Sequence, residues 1–228
     1  MSTRISVLSV GHLSPSLFSK LAENIGAEDF DSTKNSGFLI SRESGTSLEG
    51  RYVQKITGTV KVVDPLGSTL EFPRVTFVEQ RFRLSMKSPQ LVLFDPGSAW
   101  KPLLGRLLQF SDFKLSVESI DLALTALVKQ AVEVFSNVRV YSASVEPFQV
   151  DGETTIRVSV ESSGDARVQS KSFLKGKAVE FSSLKCEFEH GARTRRCEFR
   201  RNGAITIYGD CDPILEAEFT KLLTGLCP

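Results

Sequence analysis

Histidine and tryptophan are nearly missing from this 228-residue chain, which has two of the first and one of the second. With His12 and His190 in different halves, no HExxH motif or paired-histidine metal site exists. Cysteine is scarce as well. Cys186, Cys197, Cys211 and Cys227 contain no CxxC pair, so a zinc site would need the fold to gather distant positions. A chain this long buries a core without disulfides, and reduced thiols in a cytoplasmic protein are the expectation. Charge of one sign is lacking: 28 Lys and Arg stand against 27 Asp and Glu, a net of +1, so no bulk field draws the protein toward DNA or lipid. No apolar run nears the roughly 20 residues of a membrane-spanning helix, and the N-terminal Ile5-Ser-Val-Leu-Ser-Val10 stretch is too short for a signal peptide.

Catalytic motifs are missing too. The chain has no GxSxG, GxGxxG or phosphate-binding glycine loop, and Gly176-Lys177 lacks the earlier glycine that such a loop needs. The serine–lysine spacing of penicillin-binding enzymes occurs twice, at Ser98–Lys101 and Ser111–Lys114, and neither copy has the companion motifs. The expectation is a protein that is not an enzyme and carries neither cofactor nor metal.

What is present is a run of local structure signals. Ser14-Pro15 opens a helix with Leu17, Leu21 and Ile25 on one face, closing at Gly26. Asp212-Pro213 opens another, with Leu215, Phe219, Leu222 and Leu226 on one face and Gly225 at its end. Ser116 is read as the start of a longer helix with the stripe Ile120, Leu124, Leu127, Ala131 and Val134, and a shorter helix runs from Ser98 through Leu108. Strands are expected at 37–42, 51–63, 70–86, 90–94, 138–148, 154–161, 179–189, 196–201 and 204–208. Asp64-Pro-Leu-Gly67 and Asn202-Gly203 mark tight turns. In the 70–86 strand the apolar parity changes from odd (Val75, Phe77) to even (Phe82, Leu84, Met86), which suggests a bulge at 78–80.

Two regions match in order. Phe82 to Leu93 followed by the Trp100 helix parallels Cys197 to Ile207 followed by the Leu215 helix, at an offset of 114 to 115 residues. The reading is an α+β protein of two pseudo-repeated α-β-β-β-β-α halves, 1–114 and 115–228, packed as one compact domain. The halves would share a curved antiparallel sheet with helices on one face. In element order this is similar to the saddle of TATA-binding proteins. A helix-grip arrangement, one curved sheet around the C-terminal helix, is the alternative.

Acidic residues gather at Glu23, Glu28, Asp29 and Asp31 and again at Asp210, Asp212, Glu216 and Glu218. The second group fits the start of a helix, where carboxylates are favoured, better than a magnesium site. The basic residues are more local. Residues 193–201 hold Arg193, Arg195, Arg196, Arg200 and Arg201 against Glu198, and 167–185 hold Arg167, Lys171, Lys175, Lys177 and Lys185 in a segment that reads as a loop. Arg81 and Arg83 occupy the matching strand of the first half. Strand alternation puts Arg196 and Arg200 opposite Cys197 and Phe199. Arginine suits bidentate contact with phosphate. The candidate nucleic-acid-binding set is therefore Arg81, Arg83, Arg193, Arg196, Arg200, Arg201, Lys171, Lys175 and Lys177. Tyr52, Tyr141 and Tyr208 are candidates for a polar face. The functional expectation is a binding module contacting nucleic acid through arginine-bearing hairpins. The alternative is a protein–protein assembly subunit of a bacterial multi-component system without nucleic-acid contact. Neither reading involves a membrane, and the oligomeric state stays open.

Overall fold

A computed structural model describes residues 2–149, 152–174 and 179–223. In chain order its elements begin with β1 (Ser2–Gly11), α1 (Pro15–Ala27), β2 (Ser36–Ser44), β3 (Ser47–Val63), β4 (Thr69–Ser85), β5 (Leu91–Phe94) and α2 (Trp100–Phe110). They continue with β6 (Ser116–Ser119), α3 (Leu124–Val134), β7 (Ser136–Val145), β8 (Phe148–Gln149), β9 (Thr155–Ile156), β10 (Ser159–Glu161) and α4 (Ala166–Phe173). β11 (Phe181–His190), β12 (Arg193–Arg200), β13 (Ala204–Tyr208) and α5 (Pro213–Leu223) complete the described chain. This is a mixed α+β fold with five helices and mostly antiparallel, unclosed sheet among the described residues. The chain forms two compact units, one of residues 10–86 and 91–117, the other of 1–9, 87–90 and 118–228.

In the first of these, α1 starts where the sequence says it should. Ser14 accepts a hydrogen bond from the Leu17 N–H, Pro15 sits at the first turn, and Phe18, Leu21 and Ile25 are buried. The strands follow one another as a meander, β2-β3-β4-β5, all antiparallel. Phe38 holds the core together, with its ring 5.2 Å from Tyr52, 6.0 Å from Phe82 and 5.9 Å from Phe110 of α2. Tyr52 is therefore a core residue, not part of a polar face. No bulge interrupts β4: its register with β3 runs unbroken from Ser47↔Ser85 to Val63↔Thr69. The parity change has another cause. Beyond Gln54 and Gln80 the hairpin projects as a two-stranded arm with both faces largely exposed, so apolar residues (Val75, Phe77) also stand on the side opposite the core face. Asp64 closes the tip, its carboxylate accepting from the N–H groups of Leu66 and Ser68.

In the other unit the sheet order is β10-β7-β11-β12-β13-β1, with β8 and β9 forming a small separate ribbon. Phe219 of α5 sits among Phe135 (5.2 Å), Phe188 (5.7 Å) and Phe199 (6.0 Å). Residues 116–119 are a strand, and the helix begins only at Leu124. The reason is that β6 pairs with β1, and just beyond it the Leu122 N–H donates to the Arg201 carbonyl, with Ile120 and Leu122 buried alternately. At the turn before β13, Gly203 has φ +82°, and an added Cβ would lie 2.6 Å from the Val7 carbonyl, so only glycine fits. Gly225, Leu226 and Cys227 lie outside the described residues. Cys186 and Cys197 are unbonded and buried, directly opposite each other across β11 and β12, and burial pushes the Cys197 thiol well up.

Candidate nucleic-acid interface

Alternation along β12 decides which arginines share a face. Cys197 and Phe199 point into the core, and Arg196 and Arg200 project from the opposite side with 62% and 55% of their side chains exposed. The cross-strand register extends this face over five strands. One row reads Arg139, Glu187, Arg196, Tyr208, Ser2; the next reads Ser142, Lys185, Glu198, Thr206, Arg4. The face thus carries five cations (Arg4, Arg139, Lys185, Arg196, Arg200) against three carboxylates (Glu187, Glu189, Glu198).

Two of these carboxylates act as internal struts, and the third, Glu189, accepts from Asn137 Nδ2 at 2.7 Å. Glu187 accepts from Arg139 at 3.0 Å and from Arg196 at 3.0 Å, and these two guanidinium groups hold its carboxyl below the usual glutamate range. Glu198 accepts from Arg200 Nε and from the Tyr208 hydroxyl, both at 3.0 Å. Burial, then the hydrogen bond to Glu198, pushes the Tyr208 hydroxyl up, keeping it a donor. Tyr141 lies beside a register shift between β7 and β11, with the Arg196 guanidinium 5.5 Å from its ring centroid. Burial raises its hydroxyl as well. Arg196 and the two tyrosines therefore belong to one partly exposed cluster.

The other expected residues are placed differently. Arg201 is clamped by Asp121 and Glu180, its Nη2 2.8 Å from Asp121 Oδ2, which holds the Asp121 carboxyl low and the guanidinium high. These groups line a cleft of about 260 Å³ with Leu122, Thr125 and Phe181. Arg193 is exposed at the hairpin end, on the Cys197 side of the alternation. Arg81 and Arg83 belong to the other compact unit, on β4. Arg81 lies 4.8 Å from the Phe94 ring centroid, and Arg83 is paired with Glu49 at 2.6 Å. Lys171 is exposed in the last turn of α4, a helix capped by Asp165 where the sequence suggested a loop. Lys175 and Lys177 lie outside the described residues. Asp212 serves as a helix cap, accepting from the Leu215 N–H at 2.8 Å, and His190 rests 3.1 Å from Glu218. Among the described residues, no three His, Cys, Asp or Glu side chains gather as a metal-binding group, and no helix is long and apolar enough to cross a membrane.

Arg4 and Arg139 escaped the sequence reading because each stands alone in its strand, and only the cross-strand register brings them to Arg196. The sequence matches no protein-family model, and no curated protein matches it.

Proposed function

We propose that the chain is a non-enzymatic binding module whose β7-β11-β12-β13-β1 face contacts single-stranded nucleic acid. The observation that carries this reading is the cluster of Arg196 with Tyr141 and Tyr208 on a face where cations outnumber carboxylates five to three. Aromatic rings on an exposed sheet offer sequence-tolerant stacking, each worth about 1–3 kcal/mol per base. The arginines offer phosphate contacts once they exchange a glutamate partner for a phosphate oxygen. The expected result is binding of a short oligothymidylate, read by fluorescence anisotropy, whose log affinity falls linearly with log salt. The Arg196→Ala/Arg200→Ala double variant should flatten that slope by about 1.4, at roughly 0.7 per lost phosphate contact. Absence of binding at low salt removes the reading.

A second reading is an assembly subunit of a multi-component system, favoured by the apolar side chains left exposed along the β3–β4 arm. A pull-down from the native host with and without nuclease separates the two. We also infer that the chain derives from two copies of one α-β-β-β-β-α unit. Supporting this, α1, β2–β5 and α2 follow the same order as α3, β7, β11–β13 and α5. The residues matched in sequence, Phe82, Leu84, Leu91 and Leu93 with Cys197, Phe199, Ile205 and Ile207, are all buried.

A further inference from the structure

The outer half of the β3–β4 hairpin is apolar on a face that nothing in its own unit covers. Register pairs Ile56 with Thr76, Gly58 with Arg74, Val60 with Phe72 and Val62 with Leu70, so these eight residues share one side of the arm. It is the same side on which Leu48, Tyr52, Phe82 and Leu84 are buried nearer the base. Outward, Ile56, Val60, Val62, Leu70 and Phe72 remain 37–51% exposed. With large apolar side chains of roughly 150–250 Å² each, that leaves on the order of 400–500 Å² of apolar surface. A patch of about this size is the largest that a typical monomer exposes, and such patches are often functional.

Gly58 supplies the second observation. Glycine inside a strand accompanies a bulge, a strained backbone or the close approach of another group. The register through Gly58 is unbroken, its φ is not positive, and an added Cβ would meet nothing within 4 Å. Among the described residues, then, nothing requires this glycine. It leaves an open notch in the apolar face, one row from the protruding Val60 and Phe72.

We propose that this face is the interface between two copies of the chain, the arms packed face to face about a two-fold axis perpendicular to the strands. An axis between the Gly58–Arg74 and Val60–Phe72 rows seats each Val60 in the partner copy's notch and lays each Phe72 ring over an Arg74 guanidinium. It also sets Val62 against Ile56 and Leu70 against Thr76. Knob and notch lie on the same face one row apart, so a single two-fold operation satisfies both copies at once, as an isologous contact requires. Arg74 is the one charge on this face and has no ion-pair partner among the described residues; an aromatic ring over it is a favourable contact. Doubling the patch gives about 800–1,000 Å², at the low end for a specific interface, so the dimer is weak and concentration-dependent. A bilayer suits the arm less well, since Asp64 at the tip and Glu71 beside it would be driven toward the lipid.

Sedimentation of the full chain from about 1 to about 500 µM tests this, with half-association expected at about 1–100 µM. The weight-average mass should rise from one chain toward two in the wild type. It should stay at one chain in Gly58→Val and in Val60→Asp. Valine is a strong strand former and meets open space at position 58, so the thermal midpoint of Gly58→Val should equal or exceed that of the wild type. A wild type that stays monomeric throughout overturns the proposal, whether or not the arm captures another protein or phosphatidylcholine vesicles. So does a dimer that persists in both variants. Oligothymidylate binding by Gly58→Val is scored separately, so failure of the dimer and failure of the nucleic-acid reading are distinct results.

Discussion

Two hairpins of the molecule share a construction at the base and diverge toward the tip. In β11–β12 the strands pair from Ser183↔Arg200 to His190↔Arg193 and stop at Gly191-Ala192, where the sheet's core alternation ends. In β3–β4 the pairing runs from Ser47↔Ser85 through the base and on to Val63↔Thr69, well past the last buried residue. The short hairpin ends in polar and cationic side chains, as an exposed strand end needs to avoid sticking to others. The long one continues the apolar character of its core face into solvent. Exposure alone therefore does not set composition: one hairpin presents a charged sheet face, the other an apolar arm.

The sharpest way to break this comparison is to truncate one phenylalanine from each half of β4. Phe82 is 1% exposed against Phe38, whereas Phe72 is 51% exposed on the arm. Phe82→Ala should cost about 3–5 kcal/mol in urea unfolding, since a buried ring leaves a cavity. Phe72→Ala, measured at a concentration where the chain is monomeric, should cost less than about 0.5 kcal/mol. Comparable losses would mean that the arm folds onto a core after all.

A smaller effect marks the boundary between the two regimes. Gln80 is fully buried at the last core position before the arm. Its amide nitrogen donates to the Arg81 and Phe94 carbonyls, and its oxygen accepts from the Gly97 N–H. Gln80→Leu keeps the volume and strands those backbone groups, so a loss of about 1–3 kcal/mol in the same assay is expected. A neutral outcome would show that the arm's root is wet and the boundary lies further inward.

Much of this was legible in the chain because it was local. Ser14-Pro15 and Asp212-Pro213 opened helices, Asn202-Gly203 and Asp64 to Gly67 closed hairpins, and alternation put Arg196 and Arg200 on one face. What failed did so where a distant partner decides. The helical stripe from Ile120 to Val134 suggests a helix from Ser116, yet β6 pairs with β1 and the Leu122 N–H reaches the Arg201 carbonyl 79 positions away, which holds the segment extended. The parity change in β4 has the pattern of a bulge, yet its cause is that both faces of the arm are largely exposed. The candidate site was half visible: clustered arginines stood out, but their glutamate struts and the contributions of Arg4 and Arg139 emerge only from the register of five strands.

The smallest expected effect separates the two units through their helix caps. Ser14 Oγ accepts from the Leu17 N–H at 3.3 Å at the start of α1, and Asp212 Oδ1 accepts from the Leu215 N–H at 2.8 Å at the start of α5. Ser14→Ala should lower stability by about 1 kcal/mol, a shift of about 2–4 °C in the thermal midpoint for a chain of this size. That shift should be the same at every pH, because a hydroxyl does not titrate in the range of folding. Asp212 differs. The Leu215 N–H, with His190 and Arg195 nearby, holds its carboxyl below the ordinary aspartate value of 3.8. A group whose folded value is depressed contributes fully above its unfolded value and loses that contribution as pH falls through the folded one. The gap in midpoint between wild type and Asp212→Ala should therefore be widest near neutral pH and shrink below about pH 4, while the Ser14→Ala gap holds steady. A gap for Asp212→Ala that stays constant down to acid would show that the cap acts through its geometry alone, without help from its charge.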